Sequence, residues 1–330
     1  MGKWLLKQPK SHDHPSEASS TGLALWTVVP PSVLIVTGIF SVQFGAGLAA
    51  RLFTQIQPAA VTGLRLWTSA VVMAVVGARP LCGAVRGVLR RRAWRDAAVA
   101  VAFGLTLAIM NYSIYQSFAR IPLGISVTIE FLGPLGVAVV SSRRVLDLLW
   151  VGLAGTGVAL LARGRLSLSH AGAGGHAAAS PGQVLAGLAF GLLAGLAWAA
   201  YIMLSRATGR RFPGSSGLAI AMLVAAVAIT PVGVAAGRGA LLRPSVLATG
   251  LAIGLLSSII PYSLELEALR RIPARVFGIW MSLEPAAAAL VGLVVLGQAL
   301  AVREWLAVGC VMVACAGAAR DAREPQAPEA

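Results

Sequence analysis

The stretches RIPLGISVTIEFLGP, residues 120–134, and RIPARVFGIWMSLEP, residues 271–285, decide how this chain is read. Each opens on Arg-Ile-Pro, places a second proline twelve residues after the first, and carries one carboxylate, Glu130 or Glu284, in a mostly apolar run. Upstream, Tyr112-Ser113 answers Tyr262-Ser263, so a register of about 151 residues relates two halves of the chain. The prolines matter as much as the spacing. Pro134 has no N–H for the carbonyl of Glu130 and Pro285 has none for that of Met281, so each run is predicted to be a helix with a break beside an acidic group.

Working outward, the whole chain has the same apolar character. Of 330 residues, 57% are hydrophobic and 12% charged, with a mean hydropathy of +0.80. Such a composition cannot cover a water-exposed surface, so the solvent is lipid. Ten apolar runs are read as spans: 26–50, 59–77, 97–118, 121–140, 145–162, 184–204, 217–236, 246–266, 276–296 and 300–319. The expected fold is an all-α integral membrane protein of ten transmembrane helices. Five spans per half is an odd number, so the two five-helix repeats are inverted in the membrane, an arrangement characteristic of alternating-access transporters. The expected layout is a cytoplasmic disordered tail 1–25, a first repeat 26–165, a flexible external loop 166–183 rich in Gly, Ala, Ser and His, a second repeat 184–319 and a cytoplasmic tail 320–330.

The net charge of +15 raises the question of nucleic acid, but its distribution answers as membrane topology. With the N-terminus inside, 19 basic residues fall on the cytoplasmic side and seven outside, with Arg65 inside a span. Both termini are therefore expected in the cytoplasm, and no nucleic-acid partner is expected. The cluster of Arg86, Arg90, Arg91, Arg92 and Arg95 is its strongest anchor. Arginine far exceeding lysine, with abundant Ala and Gly, fits a GC-rich bacterial genome and so a bacterial cytoplasmic membrane.

Few ionisable groups lie at membrane depth, where each costs about 2.5–3.5 kcal/mol on insertion scales. Glu130 and Glu284 sit near the middle of spans four and nine, and in the repeat register Glu130 matches Met281, three residues and one helix face from Glu284. A broken helix with a carboxylate suits a cation or ammonium site. The ordinary alternative is a protonated Glu hydrogen-bonded to a neighbouring helix. Arg65 either meets a substrate carboxylate or extends to the nearby boundary. Glu265 and Glu267, near the end of span eight, are expected to pair with Arg270 or Arg271. Gln43, Asn111, Tyr112, Tyr201 and Tyr262 are in-span polar groups that can orient a ligand or join helices. Gly187, Gly191 and Gly195 in span six, and Gly250 and Gly254 in span eight, have the spacing of close helix contact.

Enzymatic readings fare poorly. No span holds a histidine for hydrolysis, haem or metal ligation, and no phosphate-binding loop is present. Cys82, Cys310 and Cys315 show no metal-ligand spacing and read as packing residues. No cofactor is implied, and the oligomeric state stays open.

Two blocks of residues carry a family resemblance: Met110-Asn111-Tyr112 through Pro122-Leu123-Gly124-Ile125, Glu130-Phe131 and Gly133-Pro134-Leu135 to Ser141-Ser142-Arg143-Arg144, and Pro261-Tyr262-Ser263-Leu264-Glu265 through Pro273 to Met281-Ser282-Leu283-Glu284-Pro285. Weaker matches at Ser41-Val42-Gln43, Leu64-Arg65-Leu66 and Trp198-Ala199 extend it over nearly all spans. On these residues the chain resembles EamA-type members of the drug/metabolite transporter superfamily, nearest the bacterial threonine and homoserine exporters. The resemblance implies ten helices, cytoplasmic termini, a central cavity and proton-linked export of small amino acids. The partners would be a small zwitterion, protons and the bilayer, with export of another small metabolite or a hydrophobic cation as the alternative. Glu130 and Glu284 are the expected proton-coupling pair, and Trp280, beside them, is expected to narrow the cavity.

Overall fold

In the computed structural model the described residues are 29–76, 82–83, 86, 93–142, 145–171, 180–212 and 216–321. Nine helical stretches among them are long and apolar enough to cross a bilayer, and Leu148–Leu161 is a shorter apolar stretch within the helix Val145–Ala171. In chain order, span one is Pro31–Leu52, span two Pro58–Val76 and span three Trp94–Phe118. Span four has two pieces, Leu123–Glu130 and Leu132–Ser142. Span five is Val145–Ala171, span six Pro181–Gly209 and span seven Ser216–Gly237. Span eight joins Pro244–Gly254 and Ile260–Leu269 through a π-helical turn Leu255–Ile259, span nine joins Ala274–Met281 and Glu284–Leu296, and span ten is Val302–Asp321. Large apolar side chains such as Val71, Leu196, Met203 and Val294 point outward and exposed, as a lipid-facing surface requires.

The helices begin and end where the sequence has punctuation. Proline stands at the first positions of spans one, two and six, where a missing N–H costs nothing. Ser180 and Gln183 close a reciprocal capping box at the start of span six. The expected connection 166–183 is thereby shortened: 166–171 continues span five, 181–183 opens span six, and 172–179, with His176, lies outside the described residues. The tails 1–28 and 322–330, and Arg90, Arg91 and Arg92 of the basic cluster, also lie outside them.

Packing follows the repeat. Span two lies on span seven, span five on span ten, and the first half of span four on the second half of span nine, each a pair of equivalents. Span three packs on span six just as span eight packs on span one, and span four meets span six as span nine meets span one. These contacts of spans one, four, six and nine thus recur under exchange of the two halves.

Both expected breaks are present. Span four turns at Phe131, three residues before Pro134, and span nine turns at Ser282-Leu283, just before Pro285. Span six fits against the first break: a Cβ on Gly133 would lie 2.0 Å from the Gly195 carbonyl oxygen, and one on Gly195 would lie 2.8 Å from the Glu130 carbonyl oxygen. Only glycine allows that approach.

Candidate functional site

A cavity of about 450 Å³ opens between the spans and reaches both breaks. Its polar wall comes from Gln43 of span one, Arg65 of span two, Asn111 of span three, Glu130 of span four, Tyr201 of span six, Ser257, Tyr262 and Glu265 of span eight, and Glu284 of span nine. Its apolar wall includes Phe131 and Trp198, packed edge to face with ring centroids 4.9 Å apart, together with Phe277 and Met281. Three carboxylates and one guanidinium thus share one apolar-walled space. Charges act strongly across such a space because little water screens them.

Glu284 is the first residue of the second half of span nine, where free N–H groups and the helix dipole favour negative charge. Gln43 donates from Nε2 to Glu284 Oε1 at 2.9 Å, tying span one to span nine. Gln43 Oε1 and Glu284 Oε2 are buried and have no hydrogen-bond partner among the described residues.

Arg65 is held differently. Pro261 lacks the N–H that would serve the Ser257 carbonyl one turn back, and the helix loosens there into its π turn. Arg65 Nη2 donates to that carbonyl at 3.2 Å, and its guanidinium lies 5.6 Å from the ring centre of Tyr115. Arg65 Nε and Ser257 Oγ are likewise buried without a partner among the described residues. Asn111 donates from Nδ2 to the Leu107 carbonyl at 2.9 Å. Two vacant acceptors on spans one and nine therefore accompany two vacant donors on spans two and eight. An unserved buried polar atom costs about 1–3 kcal/mol, and four of them belong to residues that line one cavity. Among the described residues no group of three or more His, Cys, Asp or Glu has a metal-binding arrangement.

Known proteins agree with this architecture. The profile of the EamA-like transporter family matches residues 185–320. The chain is 36% identical over 310 residues to the threonine/homoserine exporter RhtA of Salmonella typhimurium (strain SL1344), covering 93% of this chain and 97% of that protein. It is 37% identical over 295 residues to the threonine/homoserine exporter RhtA of Escherichia coli (strain K12), covering 89% and 92%. The chain belongs to the EamA-like transporter family. It is thereby a member of the drug/metabolite transporter superfamily. A crystal structure of a protein 17% identical in sequence superposes with a TM-score of 0.56 over 87% of this chain and 95% of that one, which shows a shared fold.

The transporter brings seven of the eight sequence-chosen residues to the cavity: Gln43, Arg65, Asn111, Glu130, Tyr201, Tyr262 and Glu284. Tyr112 is the exception. Its ring meets Phe190 edge to face at 6.2 Å and packs against the cluster around Leu66 and Phe103. Arg65 turns into the cavity and does not extend to the boundary. Of the two carboxylates expected to pair with arginine, Glu267 does so, taking Arg271 and Arg270, whereas Glu265 lines the cavity. Trp280 is a further correction. It packs against the cluster of Leu34, Ile35 and Ile39 of span one with Leu264, Ala268 and Ala287, and its neighbour Met281 takes the cavity wall. Ser257 was missed, although Pro261 four residues on, inside a span, signals a freed carbonyl there.

Proposed function

We propose that this transporter exports small amino acids of the threonine and homoserine kind in exchange for protons. The observation that carries the reading is the set of vacant polar atoms in the cavity. Glu284 Oε2 and Gln43 Oε1 accept hydrogen bonds and suit an ammonium group, while Arg65 Nε and Ser257 Oγ donate and suit a carboxylate. A free α-amino acid offers both ends, and the Asn111 amide oxygen can accept from a side-chain hydroxyl. The names of the relatives, threonine/homoserine exporters over most of the chain, support the same substrate class.

In this reading Glu130 and Glu284 couple substrate to protons. Two carboxylates on one cavity repel when both are ionised. A proton and the substrate ammonium are therefore alternative ways to neutralise the same site, and arrival of one expels the other. The two five-span halves would rock about this cavity to expose it first to one side and then to the other. Both termini would lie in the cytoplasm of a bacterial cell and the cavity mouth near Glu265 on the cytoplasmic side. The excess of three carboxylates over one arginine favours a second reading, export of a hydrophobic cation against the Phe131–Trp198 wall.

Uptake and efflux of a labelled panel in vesicles carrying the purified protein separates the two. Threonine and homoserine moving faster than an amine without a carboxylate supports amino-acid export. A panel in which only lipophilic cations move transfers the assignment to the second reading.

A further inference from the structure

Glu265 belongs to no part of the substrate pose, yet it is a carboxylate within a span. It stands one turn beyond Tyr262 towards the Arg270–Arg271 end of span eight. It lines the same cavity as Glu284. Its Cγ and Oε1 lie over Gly38 of span one, 3.7 and 3.8 Å from where a Cβ would be. Among the described residues the nearby arginines turn elsewhere: Arg271 gives Nε to Glu267 Oε1 at 2.9 Å and Nη1 to the Val29 carbonyl at 3.2 Å, and Arg270 also turns to Glu267. A charge at membrane depth with no countercharge is costly, so such residues generally carry ions or protons.

The groups that face Glu265 are few. Span eight itself brings Tyr262, span six Tyr201 and span nine Glu284, each within electrostatic reach. Span one presents Gly38 and no titratable group there, and the first half of span nine has only Arg275, at its exposed start. Glu284, with its second oxygen buried and vacant, is the one other carboxylate among these neighbours.

We infer that Glu265 is the proton-release group of the transport cycle, placed between Glu284 and the solution at the Arg270–Arg271 end of span eight. The inference rests on the proton-coupled reading above. When substrate ammonium arrives, the proton leaves the Glu284 carboxyl, the ammonium takes its place beside the carboxylate, and the proton is received by the ionised Glu265. Glu265 then passes it to water at the cavity mouth and is again a carboxylate. One proton leaves for each one displaced, and Glu265 touches no substrate atom. A relay of this kind affects net proton-linked flux far more than exchange of substrate for substrate, which moves no proton.

The test compares the unaltered protein with Glu265→Gln and Glu265→Asp in vesicles loaded with labelled threonine. Flux driven by a pH difference should fall about a hundredfold in Glu265→Gln. The half-saturating concentration for threonine–threonine exchange should stay within about twofold of the unaltered value. Asp, which still titrates, should restore a large part of the driven flux. Exchange activity also shows that the variant is folded. Wild-type driven flux in Glu265→Gln overturns the inference, and so does parallel loss of exchange and driven flux, which would make Glu265 part of the substrate wall. If the unaltered protein exchanges threonine but ignores the pH difference, the proton-coupled reading falls and takes the relay with it.

Discussion

Replacing Arg65 by Gln probes the substrate pose at its best-defined donor. The guanidinium has two separable parts, Nη2 on the Ser257 carbonyl at 3.2 Å and Nε, buried without a partner among the described residues. A hydrogen bond to a charged group contributes about 1.5–3 kcal/mol. With tenfold in affinity for each 1.4 kcal/mol, loss of the contact to a substrate carboxylate weakens threonine binding by about 10- to 100-fold. The first part predicts a second, independent effect. With Pro261 unable to serve Ser257, the orphaned carbonyl lowers stability by about 1–3 kcal/mol. Equilibrium binding of labelled threonine to the purified protein measures the first effect and a thermal melt the second. An amine lacking the carboxylate, such as 1-amino-2-propanol, is the control, since it should bind the variant and the unaltered protein alike. Equal threonine affinity in both proteins would refute the assignment of Arg65 to the carboxylate. So would an equal loss for the control amine.

Two further outcomes follow from packing and charge. Gly133→Ala places a Cβ 2.0 Å from the Gly195 carbonyl oxygen, backbone against side chain with nothing flexible to yield, and should lower stability by about 1–3 kcal/mol or prevent assembly; a melting temperature equal to that of the unaltered protein would contradict the close approach of spans four and six. The asymmetry of 19 basic residues against seven predicts that reporters before Gly2 and after Ala330 are cytoplasmic and that a tag at Gly174 reacts from outside, so labelling of Gly174 only from the cytoplasmic side would overturn the orientation.

Depth in the membrane was legible in the sequence, whereas direction around each helix was not. Apolar runs located the spans to within a few residues at most ends, and the two prolines of the repeat located the breaks at Phe131 and Ser282-Leu283. Central depth alone singled out Glu130 and Glu284. A span apolar on every side carries no polar stripe to show which face turns inward. Neighbouring residues differ by about 100° around a helix, so Asn111 lines the cavity while Tyr112 meets Phe190, and Met281 lines it while Trp280 packs into the cluster of spans one, eight and nine. Glu265 and Glu267 are about 200° apart and take opposite fates. Span eight adds its own difficulty. The π turn Leu255–Ile259 gives one turn an extra residue and so rotates everything after it, including Tyr262 and Glu265, relative to a regular helix.

Proton coupling at the two breaks is the central claim, and Glu→Gln at positions 130 and 284 tests it most directly. Gln keeps the size and most of the hydrogen bonding, including a group at position 284 able to meet Gln43, and removes titration. Efflux of threonine from vesicles into an acidic exterior should be faster than into a neutral one for the unaltered protein, because protons enter as substrate leaves. In Glu130→Gln and Glu284→Gln that dependence on pH should disappear while the proteins still insert and fold. Two Gln variants that pump with the unaltered pH dependence would contradict the carboxylate mechanism.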